Sequence, residues 1–195
     1  GRFITHLSAI GARAGSSDHL VSEALYLQDP DGLGIEVYVD RPRSAWRRAD
    51  QELMMATDPL DLADLVRAAQ GTPWSGMPRD TVMGHVHLHV GELDAADAFY
   101  AEGLGFDRMV WRYPGALFLG AGGYHHHLGT NTWARGALAP RPQDAKLVVW
   151  TIVLPSPDDV AKLRANLASR DIAVTDEPHG ILFADPWGTP VRVRA

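Results

Sequence analysis

Residues 25–40 read Leu-Tyr-Leu-Gln-Asp-Pro-Asp-Gly-Leu-Gly-Ile-Glu-Val-Tyr-Val-Asp, and residues 181–195 read Ile-Leu-Phe-Ala-Asp-Pro-Trp-Gly-Thr-Pro-Val-Arg-Val-Arg-Ala. Asp29-Pro30-Asp31-Gly32 aligns with Asp185-Pro186-Trp187-Gly188. Each stretch has the pattern of a strand, a tight turn and a second strand. The shared turn predicts a repeated structural unit. The copies differ where chemistry would sit: Glu36 aligns with Arg192, and Tyr26 with Leu182. A carboxylate in one copy alone implies that only that copy supplies a ligand.

Outward from these turns, residues 20–28 and 33–39 read as the strands of the first hairpin. Gly84-His85-Val86-His87-Leu88-His89-Val90 alternates with period two and reads as a strand. A helix follows over 93–103, with Leu93, Ala96 and Tyr100 on one face, then short strands near 106–112, 116–120 and 124–132. The β-α-β-β-β order repeats, with a strand over 147–154, a helix over 157–169 and three strands to the end. Aligning the helices places Glu92 opposite Ser156 and His85 opposite Val149. The expected organisation is therefore 1–40, the back half of a metal-binding βαβββ module; 41–83, a linker with a short helix from Leu60 to Ala69; 84–136, a βαβββ module; and 144–195, a βαβββ module without metal ligands. The fold class is α+β. Phe3, Leu7 and Ile10 recur at helical spacing and Gly11 stops them, so the chain opens on Gly1 inside a helix. That opening carries the expectation of an N-terminally incomplete first module.

Composition narrows the partners. The chain has 195 residues, 46% hydrophobic and 22% charged, as in an ordinary soluble domain. A net charge of −6 argues against nucleic acid and anionic membrane. No apolar run is long enough to span a bilayer. Cys is absent, which excludes thiolate chemistry and fits a cytoplasmic location.

Histidines carry the next signal. Alternation sends His85, His87 and His89 to one face of their strand. His125-His126-His127 falls in the segment Tyr124 to Trp133, where the same alternation places His126 opposite to His125 and His127. Two imidazoles and one carboxylate form the facial set that holds Fe(II) and leaves positions open for substrate and O₂. The chain offers Glu36 and His85. In the last module the first and last strands are marked by Val149 and Arg192; the same interval counted back from Glu36 leads to a position before Gly1. The third ligand is expected there.

The chain resembles the vicinal oxygen chelate superfamily in Gly84 through Val90, Phe99-Tyr100, Leu104-Gly105-Phe106, and Asp29 through Tyr38. It is similar in more detail to the bacterial catechol-2,3-dioxygenase-like ring-cleaving branch, in Asp18-His19-Leu20-Val21-Ser22-Glu23-Ala24-Leu25-Tyr26-Leu27, Tyr124 through Gly129 and Asn131-Thr132-Trp133. The resemblance implies paired βαβββ modules and an extradiol dioxygenase that opens a catechol-type aromatic diol with Fe(II), or Mn(II), and O₂. It implies His85 and Glu36 as metal ligands and Tyr26 as a hydrogen-bond partner of a substrate oxygen. It also implies His19 as an acid/base and His126 as a lining residue of the substrate site, with His125 or His127 in that place if the register slips. The His19 to Tyr26 spacing departs slightly from the family pattern, and the Glu-bearing module precedes the His85 module, so those two modules would have to pair.

Two other functions share this fold. A glyoxalase-like lyase or isomerase wants a second carboxylate, and the module interval counted from His85 lands on Leu128, with no Asp or Glu nearby. A metal-free binding protein needs an aromatic cleft, for which Trp111, Tyr113, Trp133 and Trp150 are the candidates. A homodimer is expected from the open sheet edge that a half module leaves.

Overall fold

Both Asp turns close on their own backbone in the same way. In the first, Asp29 Oδ1 accepts the amides of Asp31 (2.9 Å) and Leu33 (2.8 Å). In the second, Asp185 Oδ1 accepts those of Trp187 (2.9 Å) and Thr189 (2.7 Å). Gly32 and Gly188 stand at φ 88° and 86°, a conformation that costs a side chain but not glycine. The computed structural model describes residues 1–138 and 140–195. It divides into two compact units, Gly1–Met83 and Gly84–Ala195.

The first unit begins with helix α1 (Arg2–Ala9), whose Leu7 is buried. Strands β1 (Gly15–Asp18), β2 (Ser22–Gln28) and β3 (Gly34–Asp40) form an antiparallel sheet in that order. Tyr26 is the register partner of Glu36. A 3₁₀ turn (Arg43–Ala45), a two-strand ribbon β4 (Arg48–Ala49) and β5 (Glu52–Leu53), and helix α2 (Leu62–Ala68) follow. Asp61 caps α2 by accepting the Asp64 amide at 2.9 Å.

The second unit holds two βαβββ modules. One runs β6 (Val86–His89), α3 (Leu93–Ala96) continuing as π-helix over Asp97–Gly103, β7 (Asp107–Val110), β8 (Ala116–Gly120) and β9 (Leu128–Asn131), with sheet order β6-β9-β8-β7. The other runs β10 (Trp150–Val153), α4 (Pro157–Ala168), β11 (Thr175–Glu177), β12 (Gly180–Ala184) and β13 (Pro190–Arg194), with order β10-β13-β12-β11. In each, the first strand lies parallel to the last. Ser156 caps α4, Pro157 takes its first turn, and Leu163 and Leu167 bury one face. One core joins the modules: Leu88, Val90, Phe99, Tyr100, Leu117 and Leu119 with Leu163, Leu167, Ile181, Phe183, Val191 and Val193.

Two expectations need correction. The three histidines 125–127 do not lie in a strand: β9 starts at Leu128, and the chain reaches it through Gly122 and Gly123, both at positive φ. Alternation therefore does not separate their side chains; His125 and His126 are both buried and adjacent. The four aromatics proposed for a cleft do not share one environment either. Trp150 belongs to the core against Tyr100, whereas Trp133 is 61% exposed.

Candidate active-site residues in each unit

In the first unit, the hairpin register puts Tyr26 and Glu36 directly opposite each other on one face of the sheet. Tyr26 Oη lies 3.2 Å from Glu36 Oε1. His19, at the turn between β1 and β2, brings Nε2 into a short contact with the same phenol oxygen, and lies 3.9 Å from Glu36 Oε1. His19 Nδ1 lies 2.6 Å from the Ala56 carbonyl oxygen. A carbonyl only accepts, so Nδ1 carries a proton and Nε2 is the nitrogen that faces the phenol. Three residues proposed from sequence thus share hydrogen-bond reach. The side chains of His19 and Glu36 are 14% and 17% exposed, and Tyr26 is 38% exposed, so the phenol is the most accessible member of the cluster.

The equivalent row of the last module is chemically different. Leu182 is the register partner of Arg192, whose guanidinium holds Glu177 through two contacts of 2.6 and 3.0 Å. A cation committed to its own sheet occupies the place of the Glu36 carboxylate.

In the second unit, His85 precedes β6 and packs against His126 with ring centroids 4.3 Å apart and planes tilted by 47°. His126 also contacts Phe118 at 4.9 Å, and its Nδ1 meets His125 Nδ1 at 2.9 Å, so one of the two donates and the other accepts. The sequence placed His87 in the histidine strand without assigning it a partner. Its ring crosses β9 at Gly129, where an added Cβ would stand 2.8 Å from Nδ1. Asn131 fixes the other side: its Oδ1 accepts the Trp133 amide at 3.0 Å, which leaves its Nδ2 to donate to His87 Nε2 at 2.7 Å. The glycine opposite a strand histidine was the available signal. Also missed was the role of Arg41, which binds Asp18 and Glu23 beside His19.

Among the described residues, no three His, Asp or Glu side chains gather as a complete ligand set. The donor types fit an iron or manganese site, since a carboxylate and an imidazole are the ligands such ions take. Residues 82–193 match the Glyoxalase/Bleomycin resistance protein/Dioxygenase superfamily.

The chain belongs to this superfamily.

Across 190 residues, 95% of the chain, it is 43% identical to a catechol-2,3-dioxygenase of Bacillus subtilis, and it spans 65% of that relative's length. A superfamily structure, a glyoxalase/dioxygenase from Nostoc punctiforme, covers 63% of this chain and 97% of its own at 16% identity with a TM-score of 0.50, a likeness of fold. The α+β class that the resemblance implied is the class observed. No helix among the described residues is long and apolar enough to cross a membrane.

Proposed function

We propose that this superfamily member is a ring-cleaving extradiol dioxygenase that acts on a catechol-type aromatic diol with Fe(II) and O₂, Mn(II) being the alternative metal. The observation that carries the reading is the His19, Tyr26, Glu36 cluster. The name of the Bacillus subtilis relative supports it. Glu36 and His85 are the residues we assign to the metal, as the resemblance implies. Bound iron supplies orientation of the diol and O₂ and stabilisation of developing charge.

The residues of the cluster move a proton. With His19 neutral, Nε2 accepts from the Tyr26 hydroxyl. With His19 protonated, Nε2–H donates to the Tyr26 oxygen, and the phenol proton turns toward Glu36 Oε1, 3.2 Å away. One proton gained at Nε2 therefore reverses the His19–Tyr26 hydrogen bond and forms the one from Tyr26 to Glu36, while the Nδ1 bond to Ala56 stays unchanged. A diol oxygen beside Tyr26 would be held by the phenol and exchange its proton with His19. His126, in tilted ring contact with His85 and Phe118, is proposed to line the substrate site. A homodimer belongs to the same proposal, supported by β3 being an edge strand of its sheet with Ile35 and Val39 exposed.

The test is to load the protein with Fe(II) under argon, add catechol and oxygen, and follow oxygen uptake with the yellow ring-opened product. Iron retained without oxygen uptake on any simple catechol overturns the reading. Light scattering on the same sample tests the dimer.

A further inference from the structure

We propose that Arg41 and Asp18 are positioning residues that fix the tautomer and aim of His19. The inference rests on the reading of His19 as the proton carrier.

His19 lies in a turn that its own residues do not favour. Leu20 stands at φ 68°, which residues other than glycine rarely adopt. Asp18 Oδ1 holds the turn by accepting the Leu20 amide at 2.8 Å, and the His19 amide donates to the Ser22 carbonyl at 2.9 Å. Asp18 and Glu23 are register partners at the end of the hairpin, so two carboxylates face each other there. Like charges opposite one another would push the hairpin end apart. The Arg41 guanidinium removes that repulsion. Nη1 and Nη2 each donate to a separate oxygen of Asp18 at 2.7 Å, and Nη2 also reaches Glu23 Oε1 at 3.0 Å. Arg41 is itself anchored: its amide donates to the Val21 carbonyl at 2.8 Å, and its carbonyl accepts from Trp46 Nε1 at 3.0 Å.

The same aspartate positions the acceptor on the far side of the imidazole. The Asp18 and Asp58 backbones exchange two hydrogen bonds of 2.9 Å, which brings the segment carrying Ala56 beside the turn. The Ala56 carbonyl then takes the His19 Nδ1 proton. The Asp18 side chain sets the turn, its backbone sets the carbonyl, and Arg41 holds the side chain. Together they leave Nε2 as the nitrogen facing Tyr26.

The first readout needs neither metal nor turnover. In ¹⁵N-histidine-labelled protein, long-range proton–nitrogen correlation reads the tautomer, with the His19 signal assigned by its loss in His19→Gln. Wild type is expected to hold the Nδ1–H form; Arg41→Ala is expected to mix the tautomers, and Arg41→Lys, which restores charge without the fork, to mix them less. An unchanged tautomer in a folded Arg41→Ala overturns the proposal. Where that variant does not fold, Asp18→Asn serves in its place.

The second readout is a double-mutant cycle on iron-loaded enzyme. Arg41→Ala is expected to lower kcat by about tenfold, a fraction of the roughly 10²–10⁴-fold that a positioned acid–base group contributes, and to add nothing once His19 is alanine. An equal loss in both backgrounds makes Arg41 merely structural and overturns the proposal. A tautomer that responds to Arg41 while His19→Ala leaves kcat intact upholds the positioning and sinks the proton-carrier reading instead.

Discussion

The Tyr100 hydroxyl donates to Asp185 Oδ2 at 2.7 Å, tying the π-helical segment of one βαβββ module to the Asp-Pro-Trp-Gly turn of the other. Both groups are buried, at 0% and 6% exposure. Asp185 thereby serves two purposes: one oxygen closes its own turn and the other receives the neighbouring module. Trp187 of that turn also lies against the backbone of Gly91.

Removing the phenol oxygen leaves a buried carboxylate short of a donor. Tyr100→Phe is expected to cost about 1.5 to 3 kcal/mol, the range for hydrogen bonds to charged groups. Burial, and then the Asp185 charge, push the Tyr100 hydroxyl far above its ordinary value. The raised group contributes stability that is complete below the ordinary phenol range and declines as pH rises beyond it. Denaturant unfolding of wild type and Tyr100→Phe across alkaline pH should show a steeper loss in wild type. Parallel curves would contradict this.

At the acid end the sign reverses. The hydrogen bond from Arg41 lowers the Asp18 carboxyl below its ordinary value. Its contribution is present above the ordinary carboxylate range and is lost as pH falls through the lowered value. Asp18→Asn should therefore flatten the acid limb of stability while leaving the alkaline limb unchanged, as read by circular dichroism on pH titration.

Gly129→Ala would press a methyl carbon onto the His87 ring, which must shift. An overpacking cost of about 1 to 3 kcal/mol is expected, with loss of the Asn131 contact. The fluorescence of Trp133, whose ring lies 5.9 Å from His87, should change with it. An unaltered emission spectrum would mean the ring does not move.

Arg192→Glu would restore a carboxylate to the row that carries Glu36 in the first hairpin, but would set it against Glu177. The variant should melt earlier than wild type, and adding Glu177→Arg should recover most of the loss. A double variant no better than the single would show that the pair contributes little.

Glu36→Gln keeps the size of the side chain and removes its charge. Iron retained after desalting should fall to background in this variant, while His126→Gln should keep iron and lower turnover. Metal analysis beside oxygen uptake separates the two.

The features legible from sequence are those fixed by local chemistry. Asp-Pro-x-Gly announced both turns, because the aspartate bonds the amides that follow it and the glycine supplies positive φ. Ser156-Pro157 announced the start of α4. Strand β1, Gly-Ser-Ser-Asp, was not foreseen, since small polar residues alternate nothing; pairing with β2 makes it a strand. His19, Tyr26 and Glu36 were each visible alone, and the register joined them. Arg41 was not assigned a role, because its partners, Asp18 and Glu23, come near only when the sheet forms.

The closure of each Asp turn on its own backbone has an evolutionary consequence. Neither turn recruits the residues of its reactive row, so a duplicated hairpin can exchange Tyr and Glu for Leu and Arg without relearning how to fold. Inheritance of the turn is thereby separable from inheritance of the row beside it, where an exchange at Arg192 must carry its partner Glu177 along.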